Sequence, residues 1–239
     1  RPTAAGEAAV TRARRNGRVR KAVATRGSSE RDRVEVAQAA ARMMAEDGIH
    51  GFAEAKARAA AQLGIEGRGR LPRNDEIEAE IRSYQALFQA DEQARWLADM
   101  RRTAVAMMDV LAEFSPRLAG SVLRGTAPRD AEVTLHLFTE PPERVATFLL
   151  DRGIPWELDE WIARFGRERE VELPVYRIAY GSQPVRLIVF PLEGPREAPR
   201  SPVDGKPMGR AARARVLELL AQMAGPESSP GSPGDNEST

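Results

Sequence analysis

Residues Pro116 to Phe138 read PRLAGSVLRGTAPRDAEVTLHLF and hold the clearest structural pattern in the chain. A short apolar run leads to a tight turn at Gly120-Ser121, and a Pro-containing loop then leads to an alternating segment. That segment places three apolar residues on one side and three polar residues on the other: Val133, Leu135 and Leu137 against Glu132, Thr134 and His136. This period of two predicts a half-buried β-strand. We expect the turn and the Glu132 edge of the strand to face a common cleft.

Helical patterns come before this stretch, and strands dominate after it. The predicted helices are Arg33 to Glu46, Gly51 to Leu63, Ile77 to Phe88, Glu92 to Glu113, Glu143 to Arg152 and Gly209 to Met223. Further strands are predicted at Val171 to Tyr180 and Val185 to Phe190, joined by a hairpin turn. The order predicts an α+β fold, in which a helical N-terminal region precedes a mixed sheet with helices on one face.

Composition divides the chain into four segments. Residues 1–33 are rich in Ala, Arg and Gly, with six basic residues between Thr11 and Lys21, and are predicted to be a basic disordered tail. Residues 34–90 are predicted to form a helical subdomain, and residues 91–223 an α+β domain. Residues 224–239 are rich in Ser, Pro, Gly and acids, which is typical of a second disordered tail.

Composition also excludes several kinds of site. The chain has no Cys, and its two histidines are His50 and His136, so disulfides, thiolate chemistry and Cys- or His-rich metal sites are excluded. The formal net charge of +1 excludes general polyanion binding by the whole molecule. No apolar run is long enough to span a membrane, and no apolar signal core follows the basic N-terminus, so we expect a cytoplasmic protein without a membrane partner.

Gly120, Ser121, Arg124 and Gly125, with the strand that follows, resemble the nucleotidyltransferase superfamily that includes DNA polymerase beta and the poly(A) polymerases. The family pattern is a Gly-Ser turn, often followed by Arg-Gly, and then a strand with two acids separated by one residue. The resemblance implies that these four residues bind the phosphates of an NTP. It also implies that Glu132 is the catalytic and metal-binding acid, with Mg²⁺ as the cofactor of an active member.

This chain departs from the family pattern at the other acids. Thr134 stands where the second acid belongs, and the strand from Pro184 to Phe190 carries Arg186 but no third acid. A hydroxyl cannot replace a carboxylate on Mg²⁺ without the loss of a full charge. Two functions follow from the resemblance. One is Mg²⁺-dependent nucleotidyl transfer to an acceptor that the sequence does not identify, and the other is a non-catalytic binding or scaffolding module for RNA or protein. Nothing in the sequence indicates an oligomeric state.

A second resemblance lies in the helical region. Ala40 to Phe52, reading AARMMAEDGIHGF, is similar to the opening of TetR-type helix-turn-helix repressors. Those proteins need a recognition helix directly after the turn. Here Glu66 to Pro72 is a Gly/Arg-rich loop instead, so a helix-turn-helix DNA binder is the less favoured alternative.

The basic tail generates a first prediction, which treats RNA as its partner. Deletion of residues 1–26 should lower RNA affinity, and the lost affinity should shrink as salt rises, because phosphate contacts release counterions. Filter binding of the full and truncated chains across a salt series measures this. Equal affinities at all salt concentrations would contradict a role for the tail.

Overall fold

The computed structural model describes residues 29–67, 70–166 and 168–224. These residues form two compact units. The first unit extends to Gln93 and also contains Pro128–Ala131 and Ser201–Lys206; the second contains the remaining segments. The predicted tails lie outside the described residues, apart from residues 29–33 and residue 224. In the described part of the chain, no helix is both long and apolar enough to cross a membrane.

The first unit consists of helices. They are α1 (29–46), α2 (Phe52–Leu63), α3 (Asn74–Phe88) and the start of α4 (Ala90–Val110). Residue 29 is already helical, so α1 includes residues 29–33 of the predicted basic tail. The core of this unit combines small alanines with larger apolar residues: Val36, Ala40, Met43, Met44, Ala55, Ala59, Ile77 and Ile81.

The spacing of these helices disagrees with a helix-turn-helix module. That motif joins its two helices by a turn of three or four residues. Here α2 ends at Leu63 with Gly64 in the left-handed conformation (φ 65°), and α3 begins only at Asn74. The described residues between α2 and α3 therefore do not supply the recognition helix that the second resemblance requires.

The second unit is built on a mixed five-stranded sheet. Its strands are β1 (Arg117–Ala119), β2 (Val133–Phe138), β3 (Trp156–Phe165), β4 (Arg169–Tyr180) and β5 (Gln183–Phe190), in the order β1-β2-β5-β4-β3. Strands β2 and β5 run parallel, and the other neighbours are antiparallel. The helices of this unit are the rest of α4, α5 (Gly120–Arg124), α6 (Glu143–Asp151) and α7 (Arg213–Ala224), with short 3₁₀ turns at Ala112–Phe114 and Gly194–Arg196. The predicted α+β class, with helices first and a mixed sheet after them, is confirmed.

The prediction that β2 is half-buried is wrong. One side of β2 is fully buried at Val133, Leu135 and Leu137, but His136 on the opposite side is also 0% exposed. Part of the cover on that side comes from residues 191–200 and 207–212, here called the strap, whose Arg210 hydrogen-bonds His136. The Trp161 ring of β3 lies 6.3 Å from the His136 ring. Backbone hydrogen bonds of 2.9 and 2.8 Å join Leu118 of β1 to Ala211, which fixes the strap against the edge of the sheet. The alternation of residues within one strand does not predict burial by a segment that lies far away in the sequence.

The seat of the strap on the sheet generates a second prediction. A Cβ added to Gly194 would lie 2.8 Å from the Phe190 Cβ and 3.1 Å from the Phe138 Cδ1. Gly194→Ala should therefore lower the free energy of unfolding by about 1–3 kcal/mol through overpacking. Gly209→Ala is the matched control in the strap, because its Cβ would meet Leu123 at an ordinary 3.8 Å. Urea unfolding of both variants measures the difference, and equal stabilities would contradict the packing described.

Candidate functional site

The Gly120-Ser121 elbow lies directly against β2. Gly120 has φ 76°, a left-handed conformation that favours glycine, and it opens the five-residue helix α5. A Cβ built on Gly120 would lie 3.5 Å from the Thr134 Oγ1. The preceding residue, Ala119, pairs with Thr134 in the sheet. The elbow therefore faces the strand position where the resembled family has its second acid.

Glu132 lies one residue before β2. Together with Thr134, Arg177 and Arg186 it forms a polar edge of the sheet, here called the polar rim. Its Oε1 is 3.9 Å from the Arg177 Nε on β4. The Arg177 Nη2 in turn lies 2.8 Å from the Asp159 Oδ2 on β3. Arg177 thus stands between two carboxylates, one on each side of it.

Arg186 on β5 is the direct neighbour of Thr134. The two residues are paired in the parallel β2–β5 ladder, and Arg186 is paired with Arg177 in the β5–β4 ladder. The Arg186 side chain is half-buried, and its Nε is buried without a hydrogen-bond partner in the described part of the chain. Burial lowers the pKa of Arg186; Glu132 opposes this shift, and the like charge of Arg177 adds to it.

The predicted residues Arg124 and Gly125 lie at the other end of α5. Gly125 has φ 80° and caps the helix. A Cβ on Gly125 would lie 3.7 Å from the Nη2 of Arg101, a buried residue of α4. The Arg101 Nε donates a 3.3 Å hydrogen bond to the Val122 carbonyl oxygen. Gly125 and the end of α5 are therefore held from the α4 side, whereas Gly120 contacts the strand.

Farther along the same face of the sheet, His136 and Arg210 form a buried polar pair. The Arg210 Nε donates a 2.9 Å hydrogen bond to the His136 Nδ1, so a neutral His136 carries its proton on Nε2. The His136 Nε2 and the Arg210 Nη2 are both buried without partners among the described residues. Burial first, and then Arg210 and Arg186, lower the pKa of His136 to about 3. Burial and the nearby Arg117 lower the pKa of Arg210 to about 10.

The residues at the elbow do not fit a pair of Mg²⁺ ions. Hard divalent cations need several oxygen ligands, with carboxylates among them. Glu132 is two residues from Thr134, and its carboxylate already faces the guanidinium of Arg177. Arg186 stands beside Thr134 and would repel a cation. Among the described residues, no group of three or more His, Cys, Asp or Glu side chains could hold a metal ion.

Sequence reasoning named Arg186 as a residue of the wrong sign but missed its neighbours. Strand pairing brings Arg177 and Asp159 to Glu132. The path of the strap brings Arg210 to His136. One signal was present in the sequence. From Pro184 to Phe190, β5 carries a single arginine among apolar residues, and a charged residue in such a strand indicates a functional role.

The helical unit holds a separate groove of about 560 Å³. Tyr84, Leu87 and Phe88 line part of it, and Leu87 and Phe88 are 76% and 70% exposed. Polar, charged and apolar residues of α1, α2 and α3 complete its wall. Nothing in the groove selects a particular occupant, so the candidate site is the polar rim of the sheet.

Comparison with known proteins gives little beyond this geometry. No protein-family model matches the chain, and no curated protein matches it. Among solved structures, part of the chain is similar to Cid1 in complex with the UTP analog UMPNPP, with 13% sequence identity and a TM-score of 0.29. The similarity covers 39% of this chain and 30% of the Cid1 chain, so the match spans less than a third of Cid1. At that TM-score the likeness carries no argument about fold or function.

The buried histidine generates a third prediction. The folded pKa of His136 lies near 3, below its unfolded value near 6.5, so below pH 6.5 the unfolded state binds the extra proton. The stability that His136 contributes is present above pH 6.5 and is lost as the pH falls towards 3. In His136→Gln this loss should be absent, while the amide oxygen can still accept from Arg210.

The measurement is the free energy of unfolding of both proteins from pH 7 to pH 4. The wild type should lose up to about 1.4 kcal/mol more per pH unit than the variant below pH 6. His50 is present in both proteins and cancels in the comparison. Parallel curves would show that His136 titrates normally in the folded state.

Proposed function

We propose that this chain is a nucleotidyltransferase-like protein that binds the phosphates of a nucleotide at the Gly120-Ser121 elbow and does not transfer the nucleotide. One observation carries the proposal: the elbow packs on Thr134, whose neighbour in the parallel ladder is Arg186. A hydroxyl and a guanidinium thus stand beside a glycine turn, where the resembled family has carboxylates. Hydroxyl and guanidinium groups donate hydrogen bonds to phosphate oxygens, whereas carboxylates need a metal between them and the phosphate.

The donor set of the rim supports phosphate as the ligand. Ser121 and Thr134 are half-buried hydroxyl residues on either side of the elbow contact. Arg186 offers a planar guanidinium, which matches phosphate geometry and remains charged at neutral pH. Thr134 and Arg186 are direct neighbours in the sheet, and Ser121 follows the glycine that packs on Thr134.

The same residues argue against chemistry on the phosphate. Nucleotidyl transfer uses metal ions to clamp the attacking and leaving oxygens. Glu132 alone remains from the acid set that the resemblance implies, and Arg177 lies between it and Asp159. A weakly active, Mg²⁺-dependent transferase is the second candidate. The observation that favours it is the loose 3.9 Å contact between Glu132 and Arg177, which leaves the carboxylate able to turn towards a ligand.

The proposal generates a fourth prediction, on nucleotide binding. ATP or CTP should raise the melting temperature, because a ligand at 100 times its Kd adds about 2.7 kcal/mol of stability. The shift should be smaller in Ser121→Ala. The matched control is Ser182→Ala, because Gly181-Ser182 is also a Gly-Ser turn, with Gly181 at φ 61°, but it lies exposed between β4 and β5.

Glu132→Gln separates the two candidates. A binding module keeps its thermal shift in this variant and releases no pyrophosphate with or without Mg²⁺. A transferase releases pyrophosphate from NTP in the presence of Mg²⁺ and loses that activity in Glu132→Gln. A wild type that shows no shift with any NTP would overturn the binding proposal.

A further inference from the structure

The following inference rests on the proposed function and concerns how the phosphates are held. We infer that Arg177 and Arg186 take the place of the divalent cation, so that this site binds a polyphosphate without Mg²⁺. The ligand class is the free polyphosphate anion of a nucleotide, not its magnesium complex.

Arg177 stands where a cation shared by two carboxylates would lie. Its guanidinium lies 2.8 Å from Asp159 and 3.9 Å from Glu132, so one fixed cation stands between two carboxylates from different segments. A divalent ion bridging carboxylates would occupy the same electrostatic role. Arg177 balances one of these two carboxylate charges and the neighbouring Arg186 offsets the other, so a metal ion entering this rim would meet little net negative charge and two guanidinium groups.

Arg186 carries a buried N–H group, at its Nε, that makes no hydrogen bond in the described part of the chain. Glu132 and Asp159 attract the charge of this guanidinium from a distance. A buried N–H without a partner costs free energy that an acceptor would return. Arg186 lies beside Thr134, which contacts the elbow, so an acceptor bound there would also reach the turn.

The polar groups deeper on this face are also hydrogen-bond donors or cations. The unpartnered buried atoms of His136 and Arg210 are also nitrogen donors, and Arg186 lowers the pKa of His136 by like-charge repulsion. Arg210 makes its hydrogen bonds to the His136 ring and to the carbonyl oxygens of Gly194 and Glu197, not to a carboxylate. This face therefore holds several donors and an unbalanced positive charge, which a bound anion would complement.

The fifth prediction compares ATP binding to the full chain in excess EDTA and in excess MgCl₂, by isothermal titration calorimetry. Binding in EDTA should be at least as tight as in MgCl₂, because free ATP keeps the negative charge that Mg²⁺ screens. Arg186→Gln should weaken binding in EDTA by about tenfold or more, because a charge-assisted contact is lost. Arg164→Gln is the matched control: Arg164 is an exposed arginine of the same sheet, paired with Glu170 at 2.8 Å.

The outcomes separate this inference from the proposed function. ATP binding that requires MgCl₂ would overturn the inference and leave nucleotide binding intact, as would wild-type affinity of Arg186→Gln in EDTA. Absence of ATP binding in both buffers would overturn the proposed function and the inference with it. The melting temperature of each variant without ligand shows whether it is folded. If Arg186→Gln does not fold, Arg177→Gln gives the same comparison at the neighbouring guanidinium.

Discussion

The parallel register of β2 and β5 is the constraint on which the site depends. It sets Thr134 opposite Arg186 and, through the β4 pairing, Arg186 opposite Arg177. A shift of one residue would turn Arg186 into the fully apolar layer that contains Leu135 and Leu187, and an unpaired guanidinium there would cost several kcal/mol. Burial of the leucine layer therefore fixes the register, and the register fixes which charges meet at the elbow.

Much of the fold was predictable because its signals are local. The turn at Gly120, the period of β2 and the helices of the first unit follow from glycine conformation and apolar spacing within a few residues. The burial of His136 was not predictable, since part of it comes from a strap that begins 55 residues later in the chain and carries Arg210. The same limit applied to the candidate site: Gly120 and Glu132 lie close in sequence, whereas Arg177 reaches Glu132 only through strand pairing.

The path of the strap explains how a charged residue comes to lie among aromatic rings. The two-way hydrogen bonding between Leu118 and Ala211 fixes the backbone next to Arg210. From there the guanidinium lies 4.5 Å from the Phe190 ring centroid and 5.2 Å from that of Phe138. Cation–π attraction and bonds to carbonyl oxygens offset part of its desolvation. Burial, together with the like charge of Arg117, lowers the pKa of Arg210 to about 10.

An uncompensated cation is costly to keep in a fold, and that cost bears on function. Replacing buried charges by apolar groups of similar size is often neutral or stabilising, so stability alone does not favour arginine at such positions. Arg186 and Arg210 both bury nitrogen atoms without a partner on one face of one sheet, and a carboxylate ion pair satisfies neither of them. A ligand that brings negative charge to this face would stabilise the folded state by its differential interaction with these groups. The proposed site differs in this respect from the metal-binding acids of the resembled family: Arg186 stands beside Thr134, and a phosphate rather than a cation would complement it.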